Sequence, residues 1–258
     1  MNILIYFIFF LMGAFFGSFF TLAVYRIPKK EDILIKHSYC PNCNHKLGFF
    51  DLFPIFSYIF LHGKCRYCNN KIRPRYLILE ILSGITFVLT VISLNYDYSI
   101  VTLDEIIYLV LILLYISILF IVAGIDKENI QINKQTLYVG LISEIIYMIY
   151  ICTLQGTNVY QYVIYSFIFI IILLANIISK KITIKEQYWV NILILLLYMI
   201  IFCGSYLFIL TVILTMIQII IHGYINKNRK KQIPIGYYLS ISNILIIILN
   251  GLIANYLV

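Results

Sequence analysis

Two groups of residues in this chain have types and spacings that could carry chemistry. The first is a set of paired thiols, Cys40-Pro-Asn-Cys43 and Cys65-Arg-Tyr-Cys68. Cysteines two residues apart are the spacing of a metal-binding knuckle, and two such knuckles on a chain that folds back complete a tetrahedral sulfur site for zinc. The competing readings are two disulfides or unrelated buried thiols. The second group is a pair of acids. Asp126 stands in Gly124-Ile-Asp-Lys-Glu-Asn-Ile-Gln-Ile, and Glu186 in Lys181-Ile-Thr-Ile-Lys-Glu-Gln-Tyr. Two carboxyl groups within a few ångströms share a proton, so that one acts as base toward water and the other as acid. The ordinary reading of an acid beside Lys127 or Lys185 is a solvated loop charge.

The elements that position these groups are membrane helices. Of 258 residues, 62% are hydrophobic and 12% charged, which excludes an ordinary soluble domain. Segments near Ile3 to Tyr25, Tyr76 to Leu94, Leu103 to Gly124, Thr136 to Leu154, Tyr160 to Ile178, Tyr188 to Phe202, Tyr206 to Ile225 and Ile235 to Leu257 approach the roughly 20 residues that span a bilayer. The expected fold is an all-α polytopic membrane protein of about eight helices with both termini outside. A first apolar segment can be a cleaved signal peptide, but here the basic residues Arg26, Lys29 and Lys30 follow it, the arrangement of a retained anchor. The 19 Lys and Arg fall in the loop after the first segment and in those after the third, fifth and seventh, whereas Asn95 to Thr102 carries none. The positive-inside rule then puts the cysteine loop, Asp126 and Glu186 on the cytoplasmic face of the cell membrane. That compartment is reducing and favours metal over disulfides. The net charge of +8 belongs to these loops and does not mark a nucleic-acid surface.

Three stretches follow: a first helix over 1–25, a cysteine domain over 26–75, and a helical bundle over 76–258. The cysteine domain is too small for a large core, so bound metal is expected to supply its folding free energy. Between the knuckles, residues 48–62 are apolar enough to lie along the membrane interface or to form a partner-binding hairpin. His37, His45 and His62 stand near the thiols, yet four thiolates already complete the site. Glu80 and Glu144 fall inside helices, where an ionised group faces a partner in the bundle; Arg75 is the candidate partner of Glu80, and Glu144 has none in sequence. Cys152 and Cys203 lack CxxC partners and read as packing residues.

Four motifs in order carry a family resemblance: Gly17-Ser-Phe-Phe-Thr-Leu-Ala-Val-Tyr-Arg-Ile-Pro28, Cys-Pro-Asn-Cys, Cys-Arg-Tyr-Cys, and Arg73-Pro-Arg-Tyr-Leu-Ile-Leu-Glu80. Together they closely resemble the amino-terminal domain of bacterial type IV prepilin peptidases, strongly over about residues 13–84. Beyond that, Asp126 looks like the family's first catalytic aspartate, and Gln232-Ile-Pro-Ile-Gly-Tyr resembles its carboxy-terminal Pro-Phe-Gly-Pro motif. The resemblance implies a membrane-embedded aspartic endopeptidase that removes the leader of prepilins or pseudopilins at the cytoplasmic face. Many members also methylate the new amino terminus with S-adenosylmethionine. The chain departs from the family where Gly-x-Gly-Asp is expected: Thr183-Ile-Lys-Glu186 stands there, which makes Glu186 the candidate second acid. Asn133 replaces a proline expected after the first aspartate. A non-catalytic relative that binds pilin-like helices as a scaffold is the alternative reading. A transporter using Glu80, Glu144, Gln218 and His222 is a third, which the cysteine motifs disfavour.

Overall fold

The computed structural model describes residues 2–33, 37–96, 100–155, 184–225 and 232–257, with isolated positions between 160 and 171. Among them are six helices long and apolar enough to cross a membrane, and the only β-structure is two isolated bridges. The segment expected over Tyr160 to Ile178 lies outside the described residues apart from those isolated positions. The chain divides into two compact units, Met1–Ile100 and Val101–Val258.

In the first unit α1 (Asn2–Arg26) packs along α3 (Arg75–Leu94), with the short α2 (Phe56–Phe60) in the connection between them. Lipid tails are as apolar as leucine, so two membrane helices associate through close contact rather than through hydrophobic exclusion. Small residues make that contact here. A Cβ on Gly13 would come within 2.6 Å of the Ser83 carbonyl oxygen and 2.8 Å of Gly84 Cα. One on Gly17 would overlap Ser83 Oγ and lie 2.8 Å from Glu80 Cα. Ser83, fully buried, closes the seam by donating its hydroxyl to the Gly13 carbonyl at 2.7 Å. At the end of α1 the buried Arg26 donates to the carbonyls of Asp32 (2.9 Å) and His37 (2.9 Å), fastening the start of the cysteine loop.

The second unit holds α4 (Leu103–Asn129), α5 (Lys134–Tyr150, continued by one π-helical turn), α6 (Ile184–Ile225) and α7 (Ile235–Leu257). Thr102 starts α4 with a reciprocal cap: its hydroxyl accepts the Glu105 N–H, and the Glu105 carboxylate accepts the Thr102 N–H at 2.9 Å. Ile130, left-handed at φ 52°, ends it by returning its N–H to the Asp126 carbonyl at 2.8 Å. Asn133 caps α5 by accepting the Gln135 N–H.

The 42 residues of α6 contain the two expected segments Tyr188 to Phe202 and Tyr206 to Ile225, divided at Gly204. Gly204 adopts φ 75°, ψ 170°, a conformation essentially restricted to glycine. Contacts with α7 show that the chain reverses there. Tyr188 in the first arm and His222 in the second both meet the head of α7, at Ile235 and Tyr238. Cys203 and Thr211, from either side of the break, both reach Asn243. Asn243 is fully buried and also accepts the Tyr115 hydroxyl of α4 at 2.7 Å, so one amide joins three helices. Beside it Tyr115, Phe202 and Tyr147 stack face to face, with centroids 3.9 and 4.3 Å apart.

Replacing Gly17 with leucine is expected to force α1 and α3 apart at a cost of about 1–3 kcal/mol or more. Thermal unfolding of the detergent-solubilised protein checks this. Gly223→Leu, at a position with no described residue within 4 Å, serves as the control that leaves the transition in place.

Candidate functional site

The four paired cysteines converge in the first unit. Their sulfurs all lie within 4.8 Å of one another, and Cys40 Sγ and Cys68 Sγ are 3.9 Å apart. Tetrahedral Zn–S bonds of about 2.3 Å require sulfurs roughly 3.8 Å apart, so the donor set and its spacing fit zinc. The two knuckles repeat one local structure. The N–H of Cys40 bonds to the His45 carbonyl and that of Asn44 to the Cys40 carbonyl, at 3.0 and 2.8 Å; the N–H of Cys65 bonds to Asn70 and that of Asn69 to Cys65, at 2.8 and 2.9 Å. Asn44 and Asn69 both take φ 55°, the left-handed conformation that asparagine tolerates best among residues with a side chain. Single antiparallel bridges, Tyr39 to Lys46 and Lys64 to Lys71, close the two turns. His45 stacks on Tyr67 across the knuckles at 3.6 Å and is thereby occupied in packing.

Backbone N–H groups also aim at sulfur. The Asn70 N–H beside Cys68, helped by the neighbouring Cys43 and Cys65 thiols and the Asn42 amide, holds the Cys68 thiol down to about 7. Cys43 receives the same help from the His45 N–H, but loss of hydration and the Cys68 and Cys40 thiols push it up to about 11. Without metal the cluster therefore keeps protons that a cation must displace.

Glu80 has a structural partner other than the expected Arg75. Its carboxylate accepts the Ile55 N–H at 2.7 Å and a hydrogen bond from Ser18. Ile55 sits at φ 64°, a strained angle for a β-branched residue, and this bond holds it there. A cavity of about 530 Å³ opens within the unit, lined by Tyr25 and Thr21 of α1, Tyr76 and Glu80 of α3, and Cys40, Arg66 and Lys71 of the knuckles.

In the second unit Asp126 lies in the last turn of α4 with no exposed surface. Its Oδ2 accepts the Tyr237 N–H at 2.9 Å and the Tyr188 hydroxyl at 3.2 Å, and the Gly236 N–H adds to them. Tyr188 in turn accepts the Ile235 N–H at 3.0 Å. The first three N–H groups of α7 thus end on two side chains from other helices, and the positive end of the helix faces the carboxylate. Gly236 makes this approach possible, since a Cβ there would come within 2.9 Å of Ile132 and 3.1 Å of Asp126 Oδ2. The other carboxylate oxygen, Oδ1, is buried and has no hydrogen-bond partner among the described residues.

Glu186, the expected companion, is exposed at the head of α6. Tyr188 follows two residues later, and such a step turns about 200° around a helix, so the face of α6 that meets Asp126 carries the tyrosine. Sequence reasoning missed Tyr188. Its hydroxyl has no sequence signal of its own, and only the Glu-Gln-Tyr register at the start of a helix hints that it faces inward. Among the other candidates, Glu144 is 2% exposed and neither of its carboxylate oxygens has a hydrogen-bond partner among the described residues. His222 Nδ1 pairs with the Tyr238 hydroxyl at 2.6 Å, and Ser242 donates to Gln218 at 3.2 Å. Cys203 joins the Asn243 cluster, and Cys152 is a free thiol.

Elemental analysis of the purified chain is expected to find about one zinc per molecule, and Cys40→Ser or Cys65→Ser to lose most of it. Because the Cys68 thiol is held below its usual range, its thiolate persists above about pH 7 and is lost below it. Zinc affinity should therefore fall progressively as a competition titration is carried below that pH.

Comparison with known proteins bears on both units. The bacterial peptidase A24 N-terminal domain model matches residues 11–94. The prepilin leader peptidase/N-methyltransferase of Vibrio cholerae serotype O1 is 41% identical over 73 residues, covering 25% of this chain and 29% of that protein. Its counterpart in Myxococcus xanthus is 30% identical over 120 residues, 46% of this chain and 33% of that protein. The Bacillus subtilis protein of the same name is 30% identical over 130 residues, 50% of this chain and 49% of that protein. The matched stretches span half or less of these curated relatives. No solved structure matches the chain. Residues 11–94, which hold the metal-knuckle cysteines, are thus similar to the bacterial peptidase A24 N-terminal domain, and the chain is similar over part of its length to prepilin leader peptidase/N-methyltransferases.

Proposed function

We propose that the protein is a membrane-embedded endopeptidase that cuts the leader from prepilin or pseudopilin precursors at the cytoplasmic face, with Asp126 as its base. The observation that carries this reading is the asymmetry of the Asp126 carboxylate. One oxygen is held by Tyr188 and the head of α7, and the other has no partner among the described residues. A carboxylate fixed in this way presents one lone pair in a set direction and needs little reorganisation to take a proton from water. The activated water then adds to the scissile carbonyl, and the proton returns to the departing amine.

Glu186 is proposed as the second carboxyl, at the position of the family's Gly-x-Gly-Asp. Tyr188 is a positioning residue in this scheme: its one proton is committed to Asp126, so it orients the base and is not itself the acid. The zinc proposed for the four cysteines is structural and supplies folding energy to the first unit. Methylation of the new amino terminus, the second activity in the relatives' name, is proposed for the cavity of the first unit. Its volume of about 530 Å³ lies in the range of small-molecule sites, and S-adenosylmethionine is the donor that this chemistry calls for.

The scaffold reading has one observation in its favour. Asp126 caps α7, and a cap needs no catalysis to be useful. Co-expression with a pilin-like precursor from the same genome separates the two. Asp126→Asn is expected to lower processing at least about a hundredfold at normal membrane levels. Tyr188→Phe should lower it about tenfold or more by loosening the base. Glu186→Gln should match Asp126→Asn if Glu186 is the acid and leave processing near wild type if it is not. No shortening of any precursor by the wild-type chain would favour the scaffold.

A further inference from the structure

Between the two knuckles the chain presents a row of apolar side chains that its own unit leaves uncovered. Phe49 is 72% exposed, Phe50 77%, Ile59 57% and Phe60 74%. A patch of this kind marks a surface with a partner, and three observations identify which.

The first is depth. The segment is held to membrane helices at two points: Ile55 donates to Glu80, five residues into α3, and Phe53 packs edge-on against Phe15 of α1 with centroids 5.4 Å apart. Phe15 is eleven residues from the end of α1, about 16 Å along its axis, and is itself a lipid-facing residue, 45% exposed. The segment therefore reaches down beside the apolar surface of α1 instead of standing above it. The second is continuity. Phe16 and Phe19 of α1 and Ile78 and Leu82 of α3 are likewise exposed, so the row prolongs an apolar surface that belongs to lipid. The third is charge. Residues 26–75 carry ten Lys and Arg against the three acids Glu31, Asp32 and Asp51, and Lys46, Lys64 and Arg73 are exposed on the knuckles. Such a surface complements anionic headgroups.

We propose that the Phe49–Phe60 segment is a monolayer anchor. Its rings insert roughly 5–10 Å into the boundary of headgroups and acyl chains on the knuckle side of the membrane, with the knuckle cations over anionic lipid. The four cysteines draw the two ends of the segment together, and the leaflet holds its middle. The knuckle loop, too short for a hydrophobic core of its own, is thereby oriented on the bilayer. This inference is independent of whether the protein cleaves a precursor.

The chain has a single tryptophan, Trp189, so Trp189→Phe gives a dark background in which Phe50→Trp and Phe60→Trp report separately. Each full-length reporter is reconstituted in phosphatidylcholine vesicles containing phosphatidylglycerol, after its zinc content shows that the knuckles are intact. Quenching by acrylamide is expected to be about threefold or more weaker than for free N-acetyltryptophanamide, with strong quenching by lipids brominated near the headgroup, as insertion at that boundary requires. Acrylamide access equal to that of the free amide would overturn the proposal. So would shielding that appears only after a pilin-like precursor is added, which would make the row a peptide-docking surface.

Discussion

The three backbone N–H groups at the head of α7 have no partners within their own helix, and the buried side of that head offers them no solvent. Their capture by Asp126 and Tyr188 is the constraint around which the second unit is arranged. It brings the end of α4 and the start of the first arm of α6 to one point. It also favours glycine at 236, where a Cβ would press to 3.1 Å from Asp126 Oδ2, and it leaves one carboxylate oxygen in a fixed direction. The same need recurs in the first unit, where Glu80 takes the N–H of a strained Ile55, and at Asn243, whose amide satisfies groups from α4 and both arms of α6. In water each of these groups would have a solvent partner. Here each needs a side chain, so each fixes a helix.

The two units reach order by different means. In the second, aromatic stacking and buried polar contacts bind long helices. In the first, a seam of glycine and serine allows two helices to touch, and a loop too short for a core relies on four thiols. The knuckles are near copies, each with an asparagine in the left-handed conformation and one antiparallel bridge. That repetition places four sulfurs around one point from two unrelated stretches of chain. A thiol cluster with one sulfur held near pH 7 and another near 11 is an arrangement prepared for a cation, since a metal can stabilise all four thiolates at once and protons cannot.

Cysteine spacing, apolar lengths and the run of motifs made the all-α membrane fold and the metal knuckles legible before any coordinates, because those signals are local. Asp126 was legible through the family resemblance. Even the reversal at Gly204 was implied by the break between two apolar segments. Tyr188 was not legible, nor was the role of Glu80 as an anchor for Ile55, because in both cases the partner lies far along the chain and is a backbone N–H that any residue offers.

The sequence by itself determined which segments enter the membrane, where the thiols gather and which acid ends α4, since these follow from hydrophobic length, ligand spacing and motif. Only the tertiary structure decided what stands beside that acid. Two residues along α6 separate an exposed glutamate from a half-buried tyrosine bonded to Asp126, and the choice between them is made by the rotation of one helix against its neighbours. Helix rotation is set by packing over the whole bundle, and no short stretch of sequence encodes it.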